Sequence, residues 1–159
     1  MAVDEIDRGI LYMLQRDARG ITTQEIGEAV GVAASTVRNR IGKMETAGVI
    51  RGYYPDIDYD EAGLQLHVEF ICTAPNPERG KLARAAQDVN GVTAIREVLN
   101  GKENVQIDAV GTDAEDVARI NDELSEIGLT VNNTKIIKDT VLQPFNHFGQ
   151  DVVGPANGE

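Results

Sequence analysis

The sequence has few of the residues that build disulfides, metal sites and redox centres. It contains one cysteine, two histidines and no tryptophan in 159 residues. A single cysteine, Cys72, excludes an intramolecular disulfide and a cysteine-based zinc framework. Because Cys72 lies inside a run typical of a β-strand, we expect it to be a small core residue and not a nucleophile.

Long apolar runs are also missing. No run approaches the roughly 18 residues that a membrane-spanning helix needs, and residues 1–8 do not resemble a signal peptide. The hydrophobic content of 42% is nevertheless adequate for a folded core. These features predict a cytoplasmic protein that does not bind membranes.

Motifs for catalysis are absent as well. The chain has no His-x-x-His pair, no glycine-rich phosphate loop and no serine nucleophile elbow. The acidic pairs at 115–116 and 122–123 fall on predicted helices, where a solvated face explains them. A metal site built from His67 and His147 would need carboxylates from elsewhere. We therefore expect a protein that is not an enzyme and that carries no cofactor or metal.

Positive charge is scarce and concentrated. The chain has 26 Asp and Glu against 15 Lys and Arg, which gives a net charge of −11. Residues 33–52 reverse this balance, with four cations against one carboxylate. A surface that is acidic and poor in lysine resembles proteins of extreme halophiles. The alternative is an acidic second domain that binds a cationic or protein partner.

The cations coincide with a stretch whose pattern predicts two helices and a tight turn. Thr22 and Glu25 form a capping box for a short helix, and Gly31 suits the turn that follows it. In the next helix Val37, Ile41 and Met44 fall on one face at helical spacing. The order indicates a helix-turn-helix, and a strand expected from Val49 would make it the winged form.

The outward face of that second helix carries hydroxyls, an amide and cations. Such groups suit hydrogen bonding to base edges and phosphates in a DNA major groove. We expect base or groove contacts from Ser35, Thr36, Asn39 and Lys43. We expect phosphate contacts from Arg38, Arg40 and Arg51, with guanine recognition as an alternative for Arg40. A solvated amphipathic helix is the competing interpretation.

The remainder of the chain predicts an α+β protein of two domains. Residues 1–54 form the winged helix-turn-helix, with a first helix from Asp4 to about Arg16, and residues 55–63 form a linker. Residues 64–142 alternate as strand, helix, two strands, helix and strand, the βαββαβ order of a ferredoxin-like fold. Its last strand is expected to run from Leu129 to Leu142. Because both helices would cover one face of the sheet, a two-fold partner is expected on the other.

The predicted C-terminal tail, residues 143–159, begins with two phenylalanines. Phe145 and Phe148 could dock on another subunit or fold back on their own domain. The last nine residues are rich in glycine, proline and asparagine and are expected to be disordered.

Over nearly its whole length the sequence resembles the Lrp/AsnC (feast/famine) regulators. The first domain carries the resemblance in DEIDRGILYMLQRDAR, EIGEAVGVAASTVRNRI and AGVIRGY, and the second in NGKEN and TKIIKDTV. Members of this family usually have serine where Ala33 precedes the recognition helix, so a capping hydroxyl is lost here. The resemblance implies a transcriptional regulator that binds double-stranded DNA and assembles as a homodimer or a higher oligomer.

The resemblance also implies that an amino-acid effector could bind the second domain. The family's G-x-x-D turn corresponds here to residues 101–104, where an asparagine replaces the aspartate. The effector-binding residues that the resemblance implies are Asn100, Gly101, Asn104 and Thr134. Two other functions stay open: an architectural DNA-binding protein without a specific operator, and a ligand-sensing oligomer that acts through protein contacts.

Overall fold

The chain forms two compact units in a computed structural model that describes residues 1–149 and Val153. The first unit comprises Met1–Pro55 together with the described residues from Val141 onward, and the second comprises Asp56–Thr140. No helix among the described residues has the length and apolar character needed to cross a bilayer.

Three helices make up most of the first unit: α1 (Glu5–Arg16), α2 (Thr23–Val30) and α3 (Ala34–Thr46). Two of them begin at capping boxes, in which Asp4 pairs with Asp7 and Thr22 pairs with Glu25. Gly31 ends α2 with φ of 78°, a left-handed conformation that favours glycine. The predicted helix-turn-helix is confirmed.

The core of the first unit is small and apolar. It consists of Ile10, Ile26, Val37 and Met44, each no more than 1% exposed. One side chain comes from α1, one from α2 and two from α3, so all three helices are fixed by the same contacts. The stripe predicted on α3 is therefore its buried side.

The strand predicted from Val49 does not form. Residues 47–65, all described, contain no β-strand. The Val49 and Ile50 N–H groups instead donate to the Met44 carbonyl at 2.9 and 3.2 Å, which turns the chain back at the end of α3. A strand requires a neighbouring strand for its backbone groups, and the described residues supply none here.

The second unit is a four-stranded antiparallel sheet with two helices. Its elements are β1 (Leu66–Thr73), α4 (Arg79–Ala85), β2 (Val92–Glu97), β3 (Val105–Gly111), α5 (Ala114–Glu126) and β4 (Thr130–Ile136). A 3-10 turn, Ala86–Asp88, extends α4. The strand order β2-β3-β1-β4 confirms the predicted βαββαβ fold.

One face of this sheet packs on the helices. Alternate residues of β1, which are Val68, Phe70 and Cys72, are at most 1% exposed and join side chains of β3 and α5 in the core. Burial raises the pKa of the Cys72 thiol to about 11, so the thiol stays protonated at neutral pH. Cys72 is a core residue, as predicted.

The other face of the sheet carries a row of charges. Glu69 on β1 lies directly opposite Asp108 on β3, and cations flank the two carboxylates. Arg96 donates to both oxygens of Asp108, at 3.0 and 2.6 Å, and Lys135 Nζ lies 3.5 Å from Glu69 Oε2. The pairing offsets the repulsion expected between like charges that face each other across a ladder.

The fourth strand is shorter than predicted. It ends at Ile136 and not at Leu142, because its pairing with the neighbouring strand β1 stops at Val68, close to the start of β1. The Ile137 N–H still donates to the His67 carbonyl at 2.8 Å.

The C-terminal segment packs against α1 of the same chain. The Phe145 N–H donates to Gln15 Oε1 at 3.1 Å, and the rings of Phe145 and Phe148 meet edge to face at 4.9 Å. A Cβ on Gly149 would come within 2.6 Å of Tyr12, so this contact is close. The disorder predicted for the last nine residues falls, apart from Val153, outside the described residues.

Candidate nucleic-acid interface

Most of the polar side chains predicted to contact DNA lie on the solvent side of α3. Ser35, Arg38, Asn39 and Lys43 are exposed, whereas Thr36 is half-buried. Ser35, Asn39 and Lys43 lie on the side of α3 away from the core residues Val37 and Met44, and Arg38 lies on its flank, so the same packing that holds the helix directs these groups outward. An open groove runs along this face; its lining includes Arg38, Asn39, Gly42, Lys43 and Thr46.

Packing against the described residues does not require a glycine at position 42, in the middle of α3. A Cβ at Gly42 would meet nothing within 4 Å. Glycine costs about 1 kcal/mol relative to alanine in a helix interior. A smooth floor for the groove is a role that fits this position. Thr46 is less available, because its hydroxyl donates to the Gly42 carbonyl at 2.8 Å.

Three of the predicted DNA-contacting cations are exposed and unpaired. Within residues 1–149 and Val153, Arg38, Lys43 and Arg51 have no ion-pair partner. Arg51 follows the turn after α3 and is also exposed. Free cations on an otherwise acidic chain give this surface a local positive potential, which attracts the negatively charged phosphate backbone of DNA.

The fourth predicted cation, Arg40, points the other way. Its Nη1 donates to Asp4 Oδ2 at 2.7 Å and to Asp7 Oδ1 at 2.9 Å. We call these three residues the Arg40 clasp. The Asp7 side chain is only 3% exposed, and Arg40 is partly buried. The clasp was missed from the sequence, although Asp4 and Asp7 share a helix face and Arg40 lies near the apolar stripe of α3.

Hydrogen bonding in the clasp lowers the pKa of Asp4, chiefly through the Arg40 guanidinium, and raises the pKa of Arg40. A carboxylate whose pKa is lower in the folded than in the unfolded chain stabilises the fold above its unfolded pKa. That contribution disappears as the pH falls through the folded value. Asp4 and Arg40 are therefore both charged and paired at neutral pH.

The residues predicted to hold an effector do not form one pocket in this chain. Asn100 and Gly101 are exposed in the β2–β3 turn, and Thr134 is exposed on β4, opposite Phe70. Asn104 is 3% exposed and hydrogen-bonds to Ala74, which lies four residues after Phe70. Asn104 directly precedes β3, which pairs with β1 on the edge opposite to β4. Four residues of strand span on the order of 13 Å, so Thr134 and Asn104 are well separated.

The Asn104 amide is fully used inside the fold. Its Oδ1 accepts from the Ala74 N–H at 2.8 Å, and its Nδ2 donates to the Ala74 carbonyl at 2.9 Å and to Asn76 Oδ1 at 3.3 Å. An amide can both donate and accept, whereas a carboxylate can only accept. The asparagine therefore suits a structural bridge, and this bridge was not foreseen.

The start of α3 lacks a side-chain cap. Ala33 occupies the N-cap in the extended conformation, with φ −68° and ψ 149°, and makes no capping hydrogen bond. Replacing Ala33 by serine should place a hydroxyl near the Thr36 N–H and raise the free energy of unfolding by about 1 kcal/mol. Urea unfolding of the Ala33→Ser and Ala33→Val variants checks this; equal midpoints would contradict it.

Comparison with known proteins identifies regulators whose sequences are similar to this chain. Residues 3–51 match the model of the family described as winged helix-turn-helix DNA-binding. The HTH-type transcriptional regulator AldR of Mycobacterium tuberculosis is 32% identical to this chain over 117 residues. The match covers 72% of this chain and 65% of AldR, so it spans just under two thirds of the length of AldR. An uncharacterised HTH-type transcriptional regulator of Pyrococcus furiosus is 30% identical over 91% of this chain and 97% of its own.

Solved structures share the whole fold. The AldR crystal structure superposes with a TM-score of 0.74 at 26% identity, covering 88% of this chain and 97% of that one. A feast or famine regulatory protein from M. tuberculosis, complexed with L-methionine, gives 0.77 at 23% identity, covering 92% and 99%. The likeness extends through both units.

Proposed function

Since this chain belongs to the Lrp/AsnC (feast/famine) family of HTH-type transcriptional regulators, we propose that α3 is its recognition helix and reads an operator in the major groove. The observation that carries this assignment is the outward face of α3, where exposed polar groups lie beside Arg38 and Lys43, two cations that pair with no described carboxylate. As a sequence-specific DNA-binding regulator, the protein is expected to work in the cytoplasm and without catalysis.

The roles divide by chemistry. Base-edge contacts are assigned to Ser35, Asn39 and Lys43 because these side chains are exposed, with half-buried Thr36 at the margin of the same face. Phosphate contacts are assigned to Arg38, on the flank of α3, and to Arg51, which is exposed after the turn that follows α3. Phosphate contacts position the protein without reading sequence, so operator choice depends on the first group.

A two-fold dimer is the assembly that fits the second unit. The helices cover one sheet face, and the other presents the row formed by Arg96, Asp108, Glu69 and Lys135. A second copy related by a two-fold axis would place cations of one row near carboxylates of the other. Two helix-turn-helix units would then meet a pseudo-palindromic operator.

An amino-acid effector is the ligand that this family membership suggests. The feast or famine regulatory protein above was solved with L-methionine. In this chain the exposed residues Asn100, Gly101 and Thr134 are available to such a ligand. Asn104 is available only if its bridge to Ala74 opens, so we propose that it does not contact the effector directly.

The test is DNA binding by the full chain across a salt series. The DNA from upstream of its own gene is compared with the same DNA scrambled. Replacing Arg38 and Lys43 together by alanine is expected to weaken binding to both DNAs by one to two orders of magnitude. Loss of the Arg38 phosphate contact should lower the salt slope by about one, and loss of Lys43 should reduce the preference for the native DNA. The matched control is Lys81→Ala with Arg84→Ala, two exposed cations of α4 in the second unit.

The outcomes separate the candidate functions. Preference for the native DNA supports a sequence-specific regulator. Equal and salt-labile binding to both DNAs would favour an architectural protein. Binding of a protein partner that survives loss of Arg38 and Lys43, with no DNA binding at any salt, would favour a ligand-sensing oligomer and overturn the proposal.

The acidic composition leads to a separate proposal about the solvent. With 26 acidic residues and only 5 lysines, we infer adaptation to a cytoplasm rich in potassium. Thermal unfolding should then shift upward by roughly 5 °C or more between low salt and molar KCl as the self-repulsion of the chain is screened. A midpoint that stays constant or falls would contradict the inference.

A further inference from the structure

We propose that Arg40 is a positioning residue of the recognition helix: the Arg40 clasp fixes the rotation of α3 against α1, and Arg40 itself does not contact DNA. The inference rests on the proposed function, because the rotation matters only if α3 reads DNA. It reassigns a cation that lies between two outward-facing neighbours, Asn39 and Lys43, on the same helix.

The geometry of the clasp links two helices through one nitrogen. Arg40 Nη1 bridges the carboxylates of Asp4 at 2.7 Å and Asp7 at 2.9 Å. These carboxylates are themselves locked. The Asp7 N–H donates to Asp4 Oδ1 at 2.9 Å, and the Asp4 N–H donates to Asp7 Oδ2 at 3.2 Å. The clasp thus ties the middle of α3 to the capped end of α1.

Burial makes the clasp hard to open. The Asp7 side chain is 3% exposed, and no other cation pairs with it among the described residues. If Arg40 turned outward to a phosphate, Asp7 would be left as a buried carboxylate without its counter-ion, which is strongly unfavourable. Arg38, two residues earlier, is exposed, has no ion-pair partner in the part of the chain that the structure describes, and can meet a phosphate at no such cost.

Rotation of α3 determines which side chains face the groove. The apolar contacts of Val37 and Met44 hold the helix against the core, but apolar contacts are non-directional. A charge-assisted hydrogen bond is directional and short. The clasp supplies the directional restraint on the side of α3 that the apolar core leaves open.

A phosphate contact and a positioning residue differ in measurable ways. Loss of a phosphate contact lowers the salt slope of DNA binding by about one and weakens all sequences alike. Loss of a positioning residue leaves the slope unchanged and reduces the preference for the native operator. Asp7 provides the decisive comparison, because a buried carboxylate cannot contact DNA.

The experiment uses the full chain with Arg40→Gln, Asp7→Asn and the two combined. Binding to the native upstream DNA and to its scrambled form is measured over a KCl series. We expect each variant to lower the ratio of the affinity for native DNA to that for scrambled DNA roughly tenfold. The salt slope of binding should stay unchanged. The combined variant should lower the ratio no further than the more affected single variant does. Arg38→Gln, on the same helix, is the control and should lower the slope by about one with the ratio unchanged.

Two results of the DNA-binding experiment would overturn the proposal. One is a slope lowered by about one in Arg40→Gln together with normal binding by Asp7→Asn, which would make Arg40 a phosphate contact. The other is a normal affinity ratio in both variants. If Arg40→Gln does not fold by circular dichroism, Asp4→Asn replaces it, since Asp4 is half-exposed and its amide can still cap α1.

A DNA-free measurement keeps the inference separate from the proposed function. Amide hydrogen exchange of α3 should become faster in Asp7→Asn, while exchange in the second unit stays unchanged. A wild-type affinity ratio of one would count against the proposed operator binding and not against the clasp. Unchanged exchange in α3 would overturn the clasp whatever the DNA result.

Discussion

Replacing Phe70 by alanine is expected to lower the free energy of unfolding of the second unit by about 3–5 kcal/mol. Phe70 is the largest of the fully buried side chains and is 0% exposed. It lies on the central strand β1, between β3 and β4, and faces the helices. Truncation removes apolar contacts and also leaves a cavity, because strands paired on both sides cannot close around the missing ring.

The control for this variant is Ile136→Ala. Thr134 on β4 is the ladder partner of Phe70, and Ile136 lies two residues beyond Thr134 on the same strand. The Ile136 side chain is 74% exposed. Its truncation should change stability by less than about 0.5 kcal/mol. Urea unfolding followed by circular dichroism and by amide exchange of β3 gives both values. A loss of unfolding free energy in Phe70→Ala no larger than the small loss expected for Ile136→Ala would show that the core does not depend on Phe70.

The helix-turn-helix could be predicted from sequence because its signals are local. Thr22 with Glu25 starts α2, Gly31 ends it, and Val37 and Met44 mark the buried side of α3. Each signal spans only a few residues, so no knowledge of distant contacts is needed. The same holds for the β2–β3 turn, where a glycine with φ of 93° stands at Gly101.

The errors arose where a distant partner decides the outcome. The segment from Val49 has the composition of a strand, but the described residues provide no strand beside it. The fourth strand ends at Ile136, where its pairing with β1 stops close to the start of that strand. For Phe145 the sequence allows two docking sites, since nothing near it in sequence identifies Gln15 as its partner.

The helical angle of Arg40 indicates that this side chain needs a partner inside the first unit. At about 100° per residue, Arg40 lies only some 60° from Val37 and some 40° from Met44, near the buried stripe. A charge at that angle needs a counter-ion, and the capping box of α1 supplies two carboxylates. Which helix supplies them is a tertiary fact, so the sequence indicated the need and not the partner.

Asn104 is the position where stability and effector binding meet. Replacing it by leucine should lower the free energy of unfolding by about 2–4 kcal/mol, because the buried N–H and carbonyl of Ala74 both lose their partner. The size of the side chain is nearly conserved, so the loss reports the hydrogen bonds. Asn100→Leu, in the same turn but exposed, is the control and should change stability little.

The Asn104→Asp variant distinguishes the bridge from an effector ligand. An ionised carboxylate there would accept from the Ala74 N–H but face the Ala74 carbonyl without a proton, so its folded-state pKa should be raised. A raised pKa means that the stability of the variant relative to wild type is greatest at low pH and is lost as the pH rises through that pKa. Unfolding of both proteins at about pH 4.5 and pH 7 measures this difference. A variant as stable as wild type at both values would show that position 104 is free of the backbone. Asn104 would then be available to an amino-acid effector.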